Sequence, residues 1–209
     1  QKLKDGQSAE AKSIYEDILQ QFPKHKQALI AFKSLTGGVA VIPQDPPSDQ
    51  LQSIINLYTQ GHLKQALHHA TEMLEKFPNS AILYNLAGLS NKGLMRFNAA
   101  IDSYKQALKV KPNYAEAYNN MGNAQNRKGD LDSSIDNYKQ ALRVKSDFAE
   151  AYNNMGIAQS GKGDLDAAIG SYNSAIKINP DYAEAYNNMG GALKNKGELA
   201  ASIKSYEMA

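Results

Sequence analysis

The feature that most constrains the fold of this chain is a nine-residue segment that returns every 34 residues. Residues 114–122 read YAEAYNNMG; the segment returns at 148–156 with Phe148 in first place, and again at 182–190. Residues 115–148 and 149–182 are identical at 19 of 34 positions. A fixed period of this length predicts stacked copies of one structural unit, because a single copy is too small to bury its apolar face alone.

The spacing of apolar residues within a period predicts two helices. Tyr118, Met121 and Gln125 are spaced i, i+3 and i+7, which places them on one face of a helix. Gly129-Asp130 then suits a left-handed helix end followed by a helix N-cap. A second helical stripe follows: Leu131, Ser134, Ile135, Tyr138, Ala141 and Leu142. We therefore expect pairs of antiparallel helices, each of about 14 residues.

Each first helix is preceded by an Asx residue that has a glutamate three positions later. The pairs are Asn113 with Glu116, Asp147 with Glu150, and Asp181 with Glu184. This spacing is that of a capping box, in which the two side chains satisfy free backbone N–H groups at the start of a helix. The sequence therefore predicts that the three glutamates act as helix caps.

These residues resemble the tetratricopeptide repeat (TPR) family. Its pattern runs through 149–182 as Tyr152, Met155, Gly156, Gln159, Ala168, Tyr172, Ala175 and Pro180. It runs through 81–114 as Tyr84, Ala87, Gly88, Asn91, Ala100, Tyr104, Ala107 and Pro112. Residues 115–148 depart only at Ser134 and Ser146. The resemblance implies an all-α fold, an α-solenoid in which antiparallel helix pairs form a right-handed superhelix. It also implies that Tyr118, Tyr152 and Tyr186 occupy the core aromatic position.

The same pattern predicts the organisation of the whole chain. We expect tandem units at 48–80, 81–114, 115–148 and 149–182, and a truncated unit at 183–209. Residues 1–36 match a partial TPR-like helical hairpin, with Leu29 and Phe32 directed inward. Residues 37–47, with two glycines and three prolines, have the composition of a linker.

Two parts of the chain depart from the simple 34-residue repeat pattern. In 48–80 the 34-residue step would bury Gln50 and Ser53, so we infer a one-residue deletion before Gly61 that buries Leu51, Ile54 and Tyr58 instead. At the other end, Ile203 and Tyr206 lie on the inner face of the last helix. We expect residues beyond Ala209, or a partner copy, to cover that face.

The composition excludes several kinds of chemistry. The chain has no cysteine, which excludes disulfides, thiolate metal sites and a cysteine nucleophile. His68 and Glu72 are spaced i, i+4 but have no third ligand at a suitable spacing. No phosphate-binding loop or nucleophile motif is present, so we predict no enzymatic activity, no metal and no cofactor. The formal net charge of +2 and the lack of a long apolar run predict neither a nucleic-acid nor a membrane partner, and we expect a cytoplasmic protein.

The resemblance implies a concave groove lined by the first helix of each unit. The groove-facing positions of each unit, together with the asparagine before each Met-Gly pair, supply the candidate peptide-binding residues. They are Asn85, Glu116, Asn119, Asn120, Asn123, Asn126, Arg127, Glu150, Asn153, Asn154, Glu184, Asn187 and Asn188. The same groove positions also include Ile82, Leu89, Lys92, Gly93, Ile157, Ser160, Gly161, Gly191, Lys194 and Asn195.

The asparagines Asn119, Asn153 and Asn187 form a row with one member in each unit. We expect them to face solvent and to hydrogen-bond a peptide backbone, because an amide side chain both donates and accepts. The alternative is that a duplicated repeat copies every residue, whether it is used or not. The family variant that clamps a terminal carboxylate has lysine at this position, so asparagine here argues against such a clamp.

The predicted function is a TPR scaffold that mediates protein–protein or peptide binding through its concave groove. One alternative is a substrate-presenting repeat arm of a larger enzyme, because the asparagine series is similar to repeats that precede protein O-glycosyltransferase domains. The other alternative is a self-assembling scaffold, a homo-oligomer formed through exposed solenoid ends. The sequence predicts a protein or peptide partner but does not identify it.

Overall fold

The computed structural model describes residues 2–22, with side chains from Glu10 onward, together with Ala28, Phe32 and 45–209. Every regular element in this part of the chain is a helix. The helices are α1 (Lys2–Gln21), α2 (Ser48–Thr59), α3 (Leu63–Lys76), α4 (Ala81–Gly93), α5 (Phe97–Val110), α6 (Ala115–Arg127), α7 (Leu131–Val144), α8 (Ala149–Lys162), α9 (Leu165–Ile178), α10 (Ala183–Lys196) and α11 (Leu199–Glu207). The predicted all-α fold class is confirmed.

The chain divides into two compact units, 1–87 and 88–209, and the division falls inside α4. In the second unit α6 packs on α7, α8 on α9, and α10 on α11, while α7 also contacts α8 and α9 contacts α10. Each helix therefore contacts its neighbours in sequence, which is the packing of an α-solenoid. The predicted helix pairs are confirmed, with 13 or 14 residues in each helix from α6 to α10.

In the first unit, α2 follows the frame with the one-residue deletion. Ile54 is 2% exposed, and Leu51 and Tyr58 are half-buried. Gln50 and Ser53, which the simple 34-residue frame would have buried, are exposed. The burial predicted for Ile54 is confirmed, whereas Leu51 and Tyr58 are only partly buried.

The N-terminal part of the first unit has its own small core. Leu19, Ala28 and Phe32 are buried together, so the inward position predicted for Phe32 is confirmed. Leu29 and residues 37–44 of the predicted linker lie outside the described residues. The proposed division into a hairpin, a linker and five tandem units stays a prediction.

A glycine in the first helix lets a tyrosine of the second helix approach the backbone. A Cβ atom added to Gly122 would lie 2.7 Å from Cε1 of Tyr138, closer than real Cβ contacts come. The same contact recurs along the chain, between Gly88 and Tyr104, Gly156 and Tyr172, and Gly190 and Tyr206. A larger side chain at these glycines would therefore push the two helices of a pair apart.

In three of these four pairs the second-helix tyrosine, rather than the first-helix one, is the aromatic residue at the centre, whereas Tyr206 of the last pair is 42% exposed. Tyr104, Tyr138 and Tyr172 are 0%, 1% and 2% exposed. Tyr118, Tyr152 and Tyr186, predicted at the core aromatic position, are only half-buried. The first-helix tyrosines therefore border the core instead of filling it; Tyr118, for example, packs against the edge of a buried cluster.

The predicted helix ends are partly confirmed. Gly129 has a φ of +83°, and Asp130 Oδ1 accepts a hydrogen bond from the backbone N–H of Ser133 at 3.2 Å, as a helix N-cap does.

The predicted capping boxes are wrong. The N-cap residues of α6, α8 and α10 are Tyr114, Phe148 and Tyr182, with no capping bond from their side chains. The helices start one residue later than the Asx positions require, so Glu116, Glu150 and Glu184 stand at the second helical position instead of the third.

The glycine–tyrosine contact makes a prediction about stability. Gly156→Ala would place a Cβ 2.6 Å from Cε1 of the buried Tyr172, so we expect it to lower the free energy of unfolding by about 1–3 kcal/mol. The matched control is Gly170→Ala in α9, where an added Cβ meets nothing within 4 Å. We expect the control to raise stability by about 0.5–1 kcal/mol, because alanine favours a helix over glycine. Urea denaturation of both variants tests this, and a neutral Gly156→Ala would contradict the role of the contact.

Candidate peptide-binding groove

Two members of the asparagine row predicted to bind peptide, Asn119 and Asn153, join successive first helices. The amide Nδ2 of Asn119 in α6 donates to Oε1 of Glu150 in α8 at 2.9 Å. The Oδ1 of Asn119 accepts from Nδ2 of Asn154, also in α8, at 3.1 Å. Asn119 is only 2% exposed. Both ends of its amide are therefore engaged by the next repeat.

The same arrangement recurs one repeat further on. Asn153 in α8 donates to Oε1 of Glu184 at 3.3 Å and accepts from Nδ2 of Asn188 at 3.0 Å, and both partners lie in α10. Asn153 is 1% exposed, whereas Asn187, at the equivalent position in α10, is exposed. The expectation that the row faces solvent is therefore wrong for Asn119 and Asn153. Their amides are buried and form hydrogen bonds between repeats.

The other candidate residues include members of these bridges, exposed residues and partly or fully buried ones. Glu150 and Glu184 accept hydrogen bonds from the row instead of capping helices. Glu116 is exposed and Asn120 is half-buried. Asn85, in the first unit, is 8% exposed.

These bridges reverse the expected effect of substituting the row. We predict that Asn153→Ala lowers the free energy of unfolding by roughly 1–3 kcal/mol, because two hydrogen bonds are lost and Asn188 and Glu184 lose a partner. The matched control is Asn187→Ala, which we expect to stay within about 0.5 kcal/mol of the wild type because that side chain is exposed. Equal effects in urea denaturation would show that the bridges contribute nothing.

A cleft in the second unit brings another part of the predicted groove together. Its volume is about 550 Å³. The lining residues are Lys92, Gly93, Met95, Phe97, Asn123, Asn126, Arg127, Tyr138, Asn154 and Ile157. Four of the thirteen candidate residues are among them, namely Asn123, Asn126, Arg127 and Asn154. Lys92, Gly93 and Ile157 come from other groove positions, so the first helices α4, α6 and α8 together form most of the wall.

Sequence analysis missed three residues of this cleft. Met95 lies in the turn after α4, Phe97 is the first residue of α5, and Tyr138 belongs to a second helix. The sequence analysis assigned groove positions only to first helices, so it did not include these three residues. The close approach of Tyr138 to Gly122 explains why Tyr138 reaches the cleft, because its ring extends from α7 to the first helix of the same pair.

The cleft carries a connected set of polar groups. Tyr138 Oη donates to Oδ1 of Asn123 at 2.7 Å. Burial raises the pKa of Tyr138, and a hydrogen bond from Asn126 lowers it in part, so the hydroxyl is protonated at neutral pH. The cleft wall therefore presents neutral hydrogen-bonding groups at its centre.

Two cationic side chains line the same cleft, and neither Lys92 nor Arg127 forms an ion pair with another described residue. Burial lowers the pKa of Lys92, and the negative charge of Glu150 opposes this shift in part. Arg127 is exposed. Beside these charges lie the apolar side chains of Met95, Phe97 and Ile157.

The lowered pKa of Lys92 predicts a pH-dependent effect on stability. A lysine whose pKa is lower in the folded state destabilises the fold while it is charged, and this penalty is lost as the pH rises through the lowered pKa towards 10.5. We expect Lys92→Met to be more stable than the wild type at neutral pH, and the difference to shrink as the solution becomes alkaline. Denaturation at a series of pH values checks this. A difference that is independent of pH would contradict the assigned cause.

The described part of the chain offers little for other chemistry. No group of three or more His, Cys, Asp or Glu side chains there is arranged to hold a metal ion. His68 Nε2 lies 3.6 Å from Glu72 Oε1 in an exposed pair. Among the described helices, none has the length and apolar character needed to cross a membrane.

Comparison with known families identifies the repeats. A family model described as TPR repeat matches residues 96–129, 126–163 and 161–197, and one described as Tetratricopeptide repeat matches residues 1–25. These matches together span more than half of the chain, which therefore belongs to the TPR family. No curated protein sequence matches it at a significant level.

Solved structures share the fold. A crystal structure of MamA is 26% identical, covers 73% of this chain and 90% of its own, and superposes with a TM-score of 0.67. PilF of Pseudomonas aeruginosa is 17% identical over 77% of this chain and 73% of its own, with a TM-score of 0.71. YrrB, described as a TPR protein with an unusual peptide-binding site, is 18% identical over 79% of this chain and 84% of its own, with a TM-score of 0.61. At these identities PilF and YrrB are similar in fold alone.

Proposed function

We propose that this protein is a TPR scaffold that binds an extended segment of a partner protein in the cleft formed by α4, α6 and α8. The observation that carries the proposal is the composition of the cleft wall, where Asn123, Asn126 and Asn154 lie together with Lys92 and Arg127. Amides and cations in one concave surface can hydrogen-bond a peptide backbone and hold its side chains.

The buried asparagine bridges support the cleft, and not the row, as the binding site. Asn119 and Asn153 use their amides to join repeats, so a ligand would have to break those bonds. Asn123, in contrast, accepts the tyrosine hydroxyl with Oδ1 and still has two N–H donors on Nδ2. The ligand therefore meets free amide groups at positions where the repeats differ, such as Asn123 and Asn126, while the bridges of Asn119 and Asn153 maintain the spacing of the repeats.

The size of the cleft fits a peptide segment. Its volume of about 550 Å³ lies within the range of ordinary ligand sites. The likeness in fold to YrrB, whose own description includes a peptide-binding site, is in keeping with this use. We propose binding and not catalysis, since the described residues of the cleft wall combine amides, cations and apolar groups without a carboxylate or a histidine. A cytoplasmic location is part of the proposal.

Self-association is a second candidate that the last helix supports. In α11, Leu199, Ile203 and Tyr206 are 61%, 60% and 42% exposed. Exposed apolar side chains on one short helix favour contact with another protein surface, such as a second copy. Light scattering over a range of concentrations tests this candidate. The remaining alternative, a substrate-presenting arm of a larger enzyme, is tested by searching the gene beyond Ala209 for a catalytic domain.

The cleft makes a direct prediction about binding. Peptides selected from a displayed random library against the full chain should lose affinity roughly 5- to 30-fold in an Ile157→Gln variant, because about 1–2 kcal/mol of apolar contact is removed. The matched control is Ile178→Gln in α9, since Ile157 and Ile178 are 36% and 38% exposed and only Ile157 lines the cleft.

The affinities of the selected peptides for the wild type, Ile157→Gln and Ile178→Gln are measured by calorimetry. Selected peptides that bind both variants as well as the wild type would contradict the cleft as the binding site.

A further inference from the structure

Met95 has a backbone conformation that the chain elsewhere gives to glycine. Its φ is 59°, and among the described residues it is the only non-glycine with a positive φ. The equivalent positions, 34 residues apart, are Gly61, Gly129, Gly163 and Gly197, with φ between 80° and 89°. Met95 is thus the one departure from a rule that every other repeat follows.

The helix end itself explains why glycine is the rule. The N–H of Met95 donates to the carbonyl of Lys92 at 3.0 Å, and the N–H of Arg96 donates to that of Asn91 at 2.8 Å. Gly129 and Asp130 make the same two bonds one repeat later, to Asn126 and Gln125. This pair of bonds is the Schellman motif, whose end residue must be left-handed. A side chain there crowds its own carbonyl, so the methionine is a strained choice.

Packing does not compensate for this strain, because the Met95 side chain is 68% exposed. The fold therefore gains nothing from this side chain that glycine would not provide with less strain. An exposed, flexible thioether adapts well to apolar side chains of a binding partner. A strained residue of this kind in a concave surface points to function.

Met95 lies between two concavities whose charged residues all have the same sign. It lines the cleft, where the charged residues are Lys92 and Arg127, and it also lines a second hollow of about 490 Å³. The charged residues of the second hollow are Arg96 and Lys128. Among the described residues, no acidic side chain lines either concavity; Glu150 influences Lys92 only through its electric field. Phe97 belongs to both walls and adds an apolar ring beside the methionine.

We infer that Met95 is a recognition residue for an acidic segment with a large apolar side chain at its centre. The inference rests on the proposed peptide-binding function and names the partner chemistry. Met95 and Phe97 contact the apolar side chain. Lys92 and Arg127 on one side, and Arg96 and Lys128 on the other, attract carboxylates that flank it, because the four cations are complementary in charge to such a segment.

Four labelled ten-residue peptides test the partner chemistry on the full chain. Each has a Gly-Ser host around a five-residue centre, which is Glu-Glu-Phe-Glu-Glu, Gln-Gln-Phe-Gln-Gln, Glu-Glu-Ala-Glu-Glu or Lys-Lys-Phe-Lys-Lys. In fluorescence anisotropy we expect the first peptide to bind about tenfold more tightly than any other, and added salt to weaken it. Equal binding of the four would overturn the inference.

The variant Met95→Gly separates recognition from stability. Relief of the left-handed strain should raise the melting temperature by about 2–4 °C, while affinity for the Glu-Glu-Phe-Glu-Glu peptide should fall about fivefold. The control, Gly163→Met, places the same side chain at an equivalent helix end (φ +87°) outside both concavities. It should lose stability and keep its affinity. Unchanged affinity in Met95→Gly would overturn the role of Met95.

The experiments distinguish an incorrect partner chemistry from an incorrect binding site. If library-selected peptides of other composition bind and depend on Ile157, the acidic-apolar partner is wrong and cleft binding stands. If selected peptides do not depend on Ile157, the proposed cleft is wrong and this inference fails with it.

Discussion

The close contact between a glycine of the first helix and a tyrosine of the second underlies both the helix pairs and the cleft. Gly122 has no side chain, so the ring of Tyr138 lies against the backbone of α6 and is buried to 1% exposure. From that position its hydroxyl reaches Oδ1 of Asn123 and borders the cleft. The contact that closes the helix pair therefore also places a neutral hydrogen-bonding group at the cleft.

Internal comparison of the repeats separates structural positions from binding positions. The residues that form the bridges are the same in successive copies, as Asn119 and Asn153 are, and both are buried. Several cleft positions vary: where 115–148 has Asn123 and Asn126, the next copy has Ile157 and Ser160. At the helix end, Met95 takes the place of glycine. Identical side chains join the repeats, and variable ones give the cleft, which is the proposed binding site, its own side-chain chemistry.

Sequence periodicity predicted the elements well because helix faces and turn residues are local. Helices α6, α8 and α10 start at Ala115, Ala149 and Ala183, in step with the 34-residue period. The bridges were not predictable in this way. The partners of Asn119 lie 31 and 35 residues away in the next repeat, and a polar residue at a groove position looks solvent-facing within one helix. Glu150 was misassigned as a cap because a shift of one residue in the helix start changes what its carboxylate reaches.

The central claim is that a partner segment binds at the cleft and not at the asparagine bridges or on the second helices. The most direct measurement is the side-chain amide spectrum of the ¹⁵N-labelled chain, recorded with and without a library-selected peptide. The account predicts that the amide signals of Asn123 and Asn126 shift, while those of the bridging Asn153 and of the exposed Asn173 in α9 do not. Shifts confined to Asn173 and its neighbours on the second helices would contradict it.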